Sequence, residues 1–152
     1  MPSYRAAPDV AEMAAKLIEA YHSPLAEAPI LYIFRDEAGK SKGRLVLGKA
    51  RLVTGLHAFL VALAAGDADA QYSESDESFF VMEIAEDWWA PVSHGKREAL
   101  VDHELCHFDA TEDKLRIRGH DLEEFAAVVE RHGLWDESVK LFAAACGSGD
   151  VC

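Results

Sequence analysis

Two histidines stand four residues apart in His103-Glu104-Leu105-Cys106-His107, with a glutamate directly after the first. On a helix, positions i and i+4 lie one above the other on one face, so both imidazoles can grip one zinc ion from the same side. Glu104 is turned by about 100° from His103. It therefore borders the metal without having to bind it, which is where a general base for a metal-activated water must stand. The pattern H-E-x-x-H thus specifies metal-assisted hydrolysis, with Glu104 as base and His103 and His107 as ligands.

A catalytic zinc takes three protein ligands and keeps one position for water. The third must come from another segment, and three downstream residues compete: His120, Glu123 and Glu124. Asp121 as N-cap with Glu124 three residues later forms a capping-box pattern, which gives Glu124 a structural task. Glu123 is one residue off that task and can face either way. His120 immediately precedes the proposed cap, where a helix start would hold its orientation, and imidazole is a common zinc ligand, so His120 is favoured. Asp102 and Asp121 are candidates to orient an imidazole from behind. Cys106, an x position of the motif, is expected to pack as a small hydrophobe.

The elements that must position these groups follow from periodicity. Val10, Met13, Ala14, Leu17, Ile18 and Tyr21 recur at helical spacing and predict a packing helix over Pro8–Tyr21. Ile30–Arg35 reads as a buried strand, Asp36–Gly43 as a turn and Leu45–Val53 as a returning strand with Gly48 as a bulge, together a β-hairpin. Gly55–Ala65 is rich in Ala and Leu and favours a short helix. Gly66–Ser78 is polar and predicts a surface loop. Ser78–Ile84 has strong β-propensity and is the expected place for a peptide substrate to add itself as a strand. Trp88 and Trp89 suggest core packing. Ser93 is placed to cap the helix that carries the histidines. A further helix is expected to open at Asp121 and to end at Gly133, and a last one covers Asp136–Cys146.

A chain of 152 residues, half of them apolar and 28% charged, is ordinary for a globular domain. One domain over residues 1–152, with its core at about 8–146, is the expectation. No apolar stretch is long enough to span a bilayer, and the start Met1-Pro2-Ser3-Tyr4-Arg5 lacks the apolar core of a secretory signal, so a cytoplasmic protein is expected. The net charge of −12 disfavours nucleic-acid binding. Of the three cysteines, Cys146 and Cys152 read as free thiols in a reducing compartment.

Arg97-Glu98-Ala99-Leu100-Val101-Asp102-His103-Glu104-Leu105-Cys106-His107, followed by Gly119-His120-Asp121-Leu122-Glu123-Glu124-Phe125 and Glu130-Arg131-His132-Gly133-Leu134-Trp135, resembles the putative phage metallopeptidase family. Tyr32-Ile33-Phe34-Arg35 and Gly48-Lys49-Ala50 are similar as well, so the likeness runs from about Ile30 to Trp135. More distantly the chain resembles SprT-like zincins. Cys146 and Cys152 do not make the zinc ribbon that SprT-like proteins often add, and Ala110 and Asp113 stand where the metzincin extension has glycine and histidine. The resemblance implies an α+β, zincin-like fold: a small mixed sheet packed on the site helix and further helices. It implies zinc-dependent peptide hydrolysis, with His103, His107 and His120 as ligands, Glu104 as base and a protein or peptide as substrate. The alternative is a metal-stabilised, non-catalytic binding module of phage or prophage origin.

Overall fold

The computed structural model describes residues 1–72 and 77–147, Asp113 by its backbone alone. The chain divides into two compact units, Met1–Arg118 and Gly119–Cys152.

The first unit is a mixed α+β layer. Its four-stranded sheet is formed by β1 (Tyr4–Ala6), β2 (Ile30–Arg35), β5 (Gly48–Val53) and β6 (Phe79–Ala85), in the order β1-β2-β6-β5. The central pair β2 and β6 is parallel, and both outer strands run antiparallel to their neighbours. A separate two-stranded ribbon, β3 (Gly39–Ser41) with β4 (Arg44–Val46), turns at Lys42 and Gly43, both at positive φ. The helices are α1 (Pro8–Tyr21), α2 (Gly55–Ala64), the single turn α3 (Glu86–Trp89) and α4 (His94–Cys106). After α4 the chain makes a short ribbon of β7 (Phe108–Asp109) and β8 (Arg116–Ile117).

Register puts Phe34, Ile84 and Gly48 side by side on one sheet face, with Tyr32, Met82 and Ala50 next to them. That face is where the core forms. Val10, Ala14 and Leu17 of α1 and Val101 and Leu105 of α4 are buried with Phe34, Phe80, Met82 and Ile84. Each of the larger ones contributes about 1.5–3 kcal/mol by leaving water, so the helix carrying the histidines is pinned by its apolar face. Trp89 joins the core edge-on to Phe34, with ring centroids 5.9 Å apart.

Several sequence expectations are met: α1 and β2 have the expected bounds, β6 and α2 lie within a residue of theirs, and the Ser93 hydroxyl caps α4 by accepting from the Lys96 N–H at 3.3 Å. Others are corrected. β2 and β5 form no hairpin, because β6 lies between them; the hairpin is the smaller β3–β4 ribbon. Gly48 is no bulge, being in register with Ile84. The expected surface loop falls in part on residues 73–76, outside the described residues. Among the described residues no helix is long and apolar enough to cross a membrane.

The second unit carries α5 (Ala126–His132) and α6 (Glu137–Ala145). The helix expected at Asp121 begins five residues later, and the capping box does not form. The Glu124 carboxylate instead accepts from its neighbour's N–H, that of Phe125, at 2.8 Å and from the Trp135 indole at 3.2 Å. Gly133 ends α5 at φ 66°, as a glycine should at such a position. Asp136 caps α6. Cys146 is disulfide-bonded, not the free thiol that a reducing compartment would leave; its position in the chain forbids no bridge. Cys152 lies outside the described residues.

Candidate metal centre

α4 presents the motif as a helix should. His103 is exposed, Glu104 and Leu105 are buried, and His107 is the C-cap residue. The two imidazole centroids are 5.2 Å apart, close enough for both rings to face one ion. His107 is fastened twice to Arg118, at the end of β8. Its carbonyl accepts from the Arg118 N–H at 2.7 Å, and its Nδ1–H donates to the Arg118 carbonyl, also at 2.7 Å. A carbonyl can only accept, so Nδ1 carries a proton and metal binding by this ring falls to Nε2. That is the arrangement by which proteins orient a metal-binding imidazole. The donors therefore fit a divalent transition metal: two imidazoles at helical spacing, one of them already oriented through its Nδ1–H.

Glu104 is only 4% exposed. Its burial pushes the carboxyl up to about 7, with the neighbouring His107 acting the other way. What makes room for it is Gly48 on the edge strand β5. A Cβ added there would lie 2.8 Å from the Glu104 Oε1 and 3.1 Å from its Cγ and Cδ. A glycine inside a strand marks either a bulge or a place where another group comes close, and at Gly48 it is the second.

An open cleft of about 580 Å³ begins at His103 and Glu104. Leu45, Val46 and Gly48 form one wall, Trp88 and Leu100 give it an apolar lining, and Lys96 contributes a cation. None of Leu45, Trp88, Lys96 and Leu100 stood out in the sequence as part of a site, because nothing local relates them. α3 and α4 are locked together beside this cleft. Arg97 donates from Nε to the Trp89 carbonyl at 2.8 Å and from Nη2 to the Ala90 carbonyl at 2.9 Å, and its guanidinium lies 5.0 Å over the Trp89 ring.

β6, the strand expected to take a peptide, is corrected by its place in the sheet. It is hydrogen-bonded to β2 on one side and to β5 on the other, so it has no edge to offer. Asp102 pairs with His22, Nε2 to Oδ1 at 2.5 Å, instead of orienting His103 or His107. Cys106 is exposed and does not pack as a hydrophobe.

In the second unit, His120 is exposed, with its Nδ1 3.9 Å from the Glu123 Oε1. Glu124 is engaged by Phe125 and Trp135 as described, which leaves Glu123 as the freer carboxylate of the two.

A family model described as putative phage metallopeptidase matches residues 2–145. No curated protein and no solved structure matches the chain.

Proposed function

The chain belongs to the putative phage metallopeptidase family, and from that membership we propose that it is a zinc-dependent peptidase of zincin-like fold, its metal held by His103, His107 and His120 and its general base Glu104. One observation carries the reading. A buried carboxylate directly follows the first of two imidazoles one helical turn apart, and an open cleft is lined by His103 and Glu104 themselves.

His120 is supported by the family likeness and by the covalent chain. Arg118 is fastened to His107 through both its N–H and its carbonyl. Two more residues span at most about 7 Å, so the His120 imidazole has the reach to serve as third ligand. Zinc is the choice because three imidazoles with one open position are a common catalytic zinc set.

A zinc ion so held supplies a Lewis acid that polarises a carbonyl and makes water more acidic. Glu104 accepts a proton from the attacking water and passes it to the leaving amine, so one carboxylate serves as base and then as acid. Gly48 lets that carboxylate sit against β5, where it is shielded from bulk water. Leu45, Trp88 and Leu100 receive an apolar side chain of a peptide lying in the cleft, and Lys96 meets a carbonyl or an acidic group.

The test is cleavage of a peptide library by zinc-loaded protein, with and without a chelator, beside the Glu104→Gln variant. The variant should keep its zinc and lose about 10²–10⁴-fold in rate. Cleavage at the parental rate would remove Glu104 from the role of base. His120→Ala should lose zinc affinity, and full retention would point to Glu123. Zinc uptake without hydrolysis, together with failure to bind a hydroxamate, would identify a closed site and the non-catalytic binding module.

A further inference from the structure

On the neighbouring stripe of the site helix lies a second set of metal-ligating side chains that the peptidase reading does not use. Asp102 and Cys106 are also four residues apart on α4, each one position before a motif histidine. Their stripe is turned by about 100° from that of His103 and His107. His22 meets them from the end of α1. It is the C-cap residue of that helix, its N–H donating to the Ile18 carbonyl at 2.9 Å. The His22 Nε2 and the Asp102 Oδ1 are already 2.5 Å apart. One ligand atom each from His22, Asp102 and Cys106 lies within 4.8 Å of the others.

We propose that His22, Asp102 and Cys106 form a second divalent-metal site, separate from the His103/His107 centre, which takes zinc or cobalt through one nitrogen, one oxygen and one thiolate sulfur. A tetrahedral zinc with bonds of about 2.0–2.3 Å holds its ligand atoms about 3.3–3.8 Å apart. The cluster fits that cage after small side-chain rotations: His22 and Asp102 open from hydrogen-bond distance, and the sulfur closes in. Two anionic donors balance the charge of the ion, and the mixture of imidazole, carboxylate and thiolate is within the range that zinc and cobalt accept. The fourth position is left to water.

The site has a structural consequence. α1 and α4 pack through Val10, Ala14, Leu17, Val101 and Leu105 in the core. An ion shared by His22 and the Asp102/Cys106 pair would tie the end of α1 to α4 across 80 residues of chain. It would brace the H-E-x-x-H helix from behind. Among the described residues, none of the three donors lines the cleft at His103 and Glu104, so this second site does not depend on the protein being a peptidase.

Metal-free protein titrated anaerobically with cobalt(II) chloride tests it. Two equivalents should bind, the second bringing a near-ultraviolet thiolate-to-cobalt charge-transfer absorption. That signature cannot arise from His103, His107 or His120. Cys106→Ser and His22→Ala should each lose one of the two equivalents and the sulfur absorption while keeping the other equivalent. The His103→Ala/His107→Ala double variant should do the reverse, losing one equivalent and keeping the absorption. Should Cys106→Ser not fold, Asp102→Asn, which preserves the side-chain volume and a hydrogen bond with His22, is read in the same way. A single equivalent in the parent, no sulfur absorption, or absorption that survives Cys106→Ser overturns the second site. Two equivalents with sulfur absorption but no peptide hydrolysis would overturn the peptidase reading alone.

Discussion

Glu104 has to be buried enough to exclude water and still reach the cleft, and the two needs are reconciled by the absence of a side chain at Gly48. The conformation of Gly48 is ordinary, so alanine there would be free of backbone strain. The clash of its Cβ with the Glu104 carboxylate at 2.8 Å is therefore the whole effect. Gly48→Ala should destabilise the protein by about 1–3 kcal/mol, the usual range for overpacking a filled site. It should also move the carboxylate enough to lower kcat by about 10²-fold, as a misplacement near 1 Å does. Zinc content should be unchanged, because the three atoms nearest the added methyl all belong to Glu104 and none to a motif histidine. Urea unfolding and metal analysis on one preparation separate these effects. An alanine variant with parental stability and rate would mean that Glu104 moves freely and that the glycine is not there to seat it. The motif was legible because its meaning lies in five adjacent residues. The role of Gly48 was not, since it exists only once β5 and α4 are packed together, and the His22–Asp102 pair is formed by residues 80 positions apart.

At the scale of elements, α4 is held by its buried side rather than by its polar composition. Leu105 is fully buried and points into the core opposite the stripe that carries the histidines. Leu105→Ala should cost about 2–5 kcal/mol, the range for truncating a core leucine. It should weaken metal binding as well, because the turn between His103 and His107 would lose its support. Thermal unfolding of metal-free and zinc-loaded variant checks both. The sheet offers a pH test. The Tyr32 hydroxyl is pushed up by burial from its ordinary value of 10.0 to about 12. Above pH 10 the unfolded chain ionises this phenol while the folded chain keeps it protonated. Stability should therefore fall as pH rises from 10 towards 12. Tyr32→Phe should flatten that alkaline limb in denaturant titrations; an unchanged slope would assign it to other groups. Elements with strong periodicity, such as α1 and β2, could be bounded from sequence because each is decided by its own residues. Strand pairing could not. β5 follows β2 in the chain, yet β6 takes the place between them, and that choice depends on burying Phe80, Met82 and Ile84 against α1 and α4. α5 began late for a similar reason. The Glu124 side chain found the Phe125 N–H and the Trp135 indole, a residue eleven positions on, and was no longer available for a cap.

For the whole molecule, the dominant long-range quantity is a net charge of −12 at pH 7. A field of that sign attracts cations and repels polyanions over about one Debye length, near 10 Å at 0.1 M salt. Zinc is drawn towards the chain, and a phosphate backbone is pushed away. The proposed peptide substrate would feel the same field before it reached the cleft. Basic peptides should therefore associate faster than acidic ones of equal length and equal apolar content, and the difference should shrink as salt is added. The expected result is a kcat/KM that falls with ionic strength for a lysine-rich substrate and rises for a glutamate-rich one, with kcat nearly constant in both. The chemistry proposed for Glu104, which is buried, should be insensitive to salt, whereas encounter should be governed by the surface. Lys96, among the described residues the cation of the cleft wall, acts against this trend at short range by favouring an acidic group close to the proposed metal. Lys96→Met would then steepen the preference for basic peptides without altering its dependence on salt. Identical salt profiles for the two substrates would show that the cleft is screened from the surface field and that selection happens only on contact.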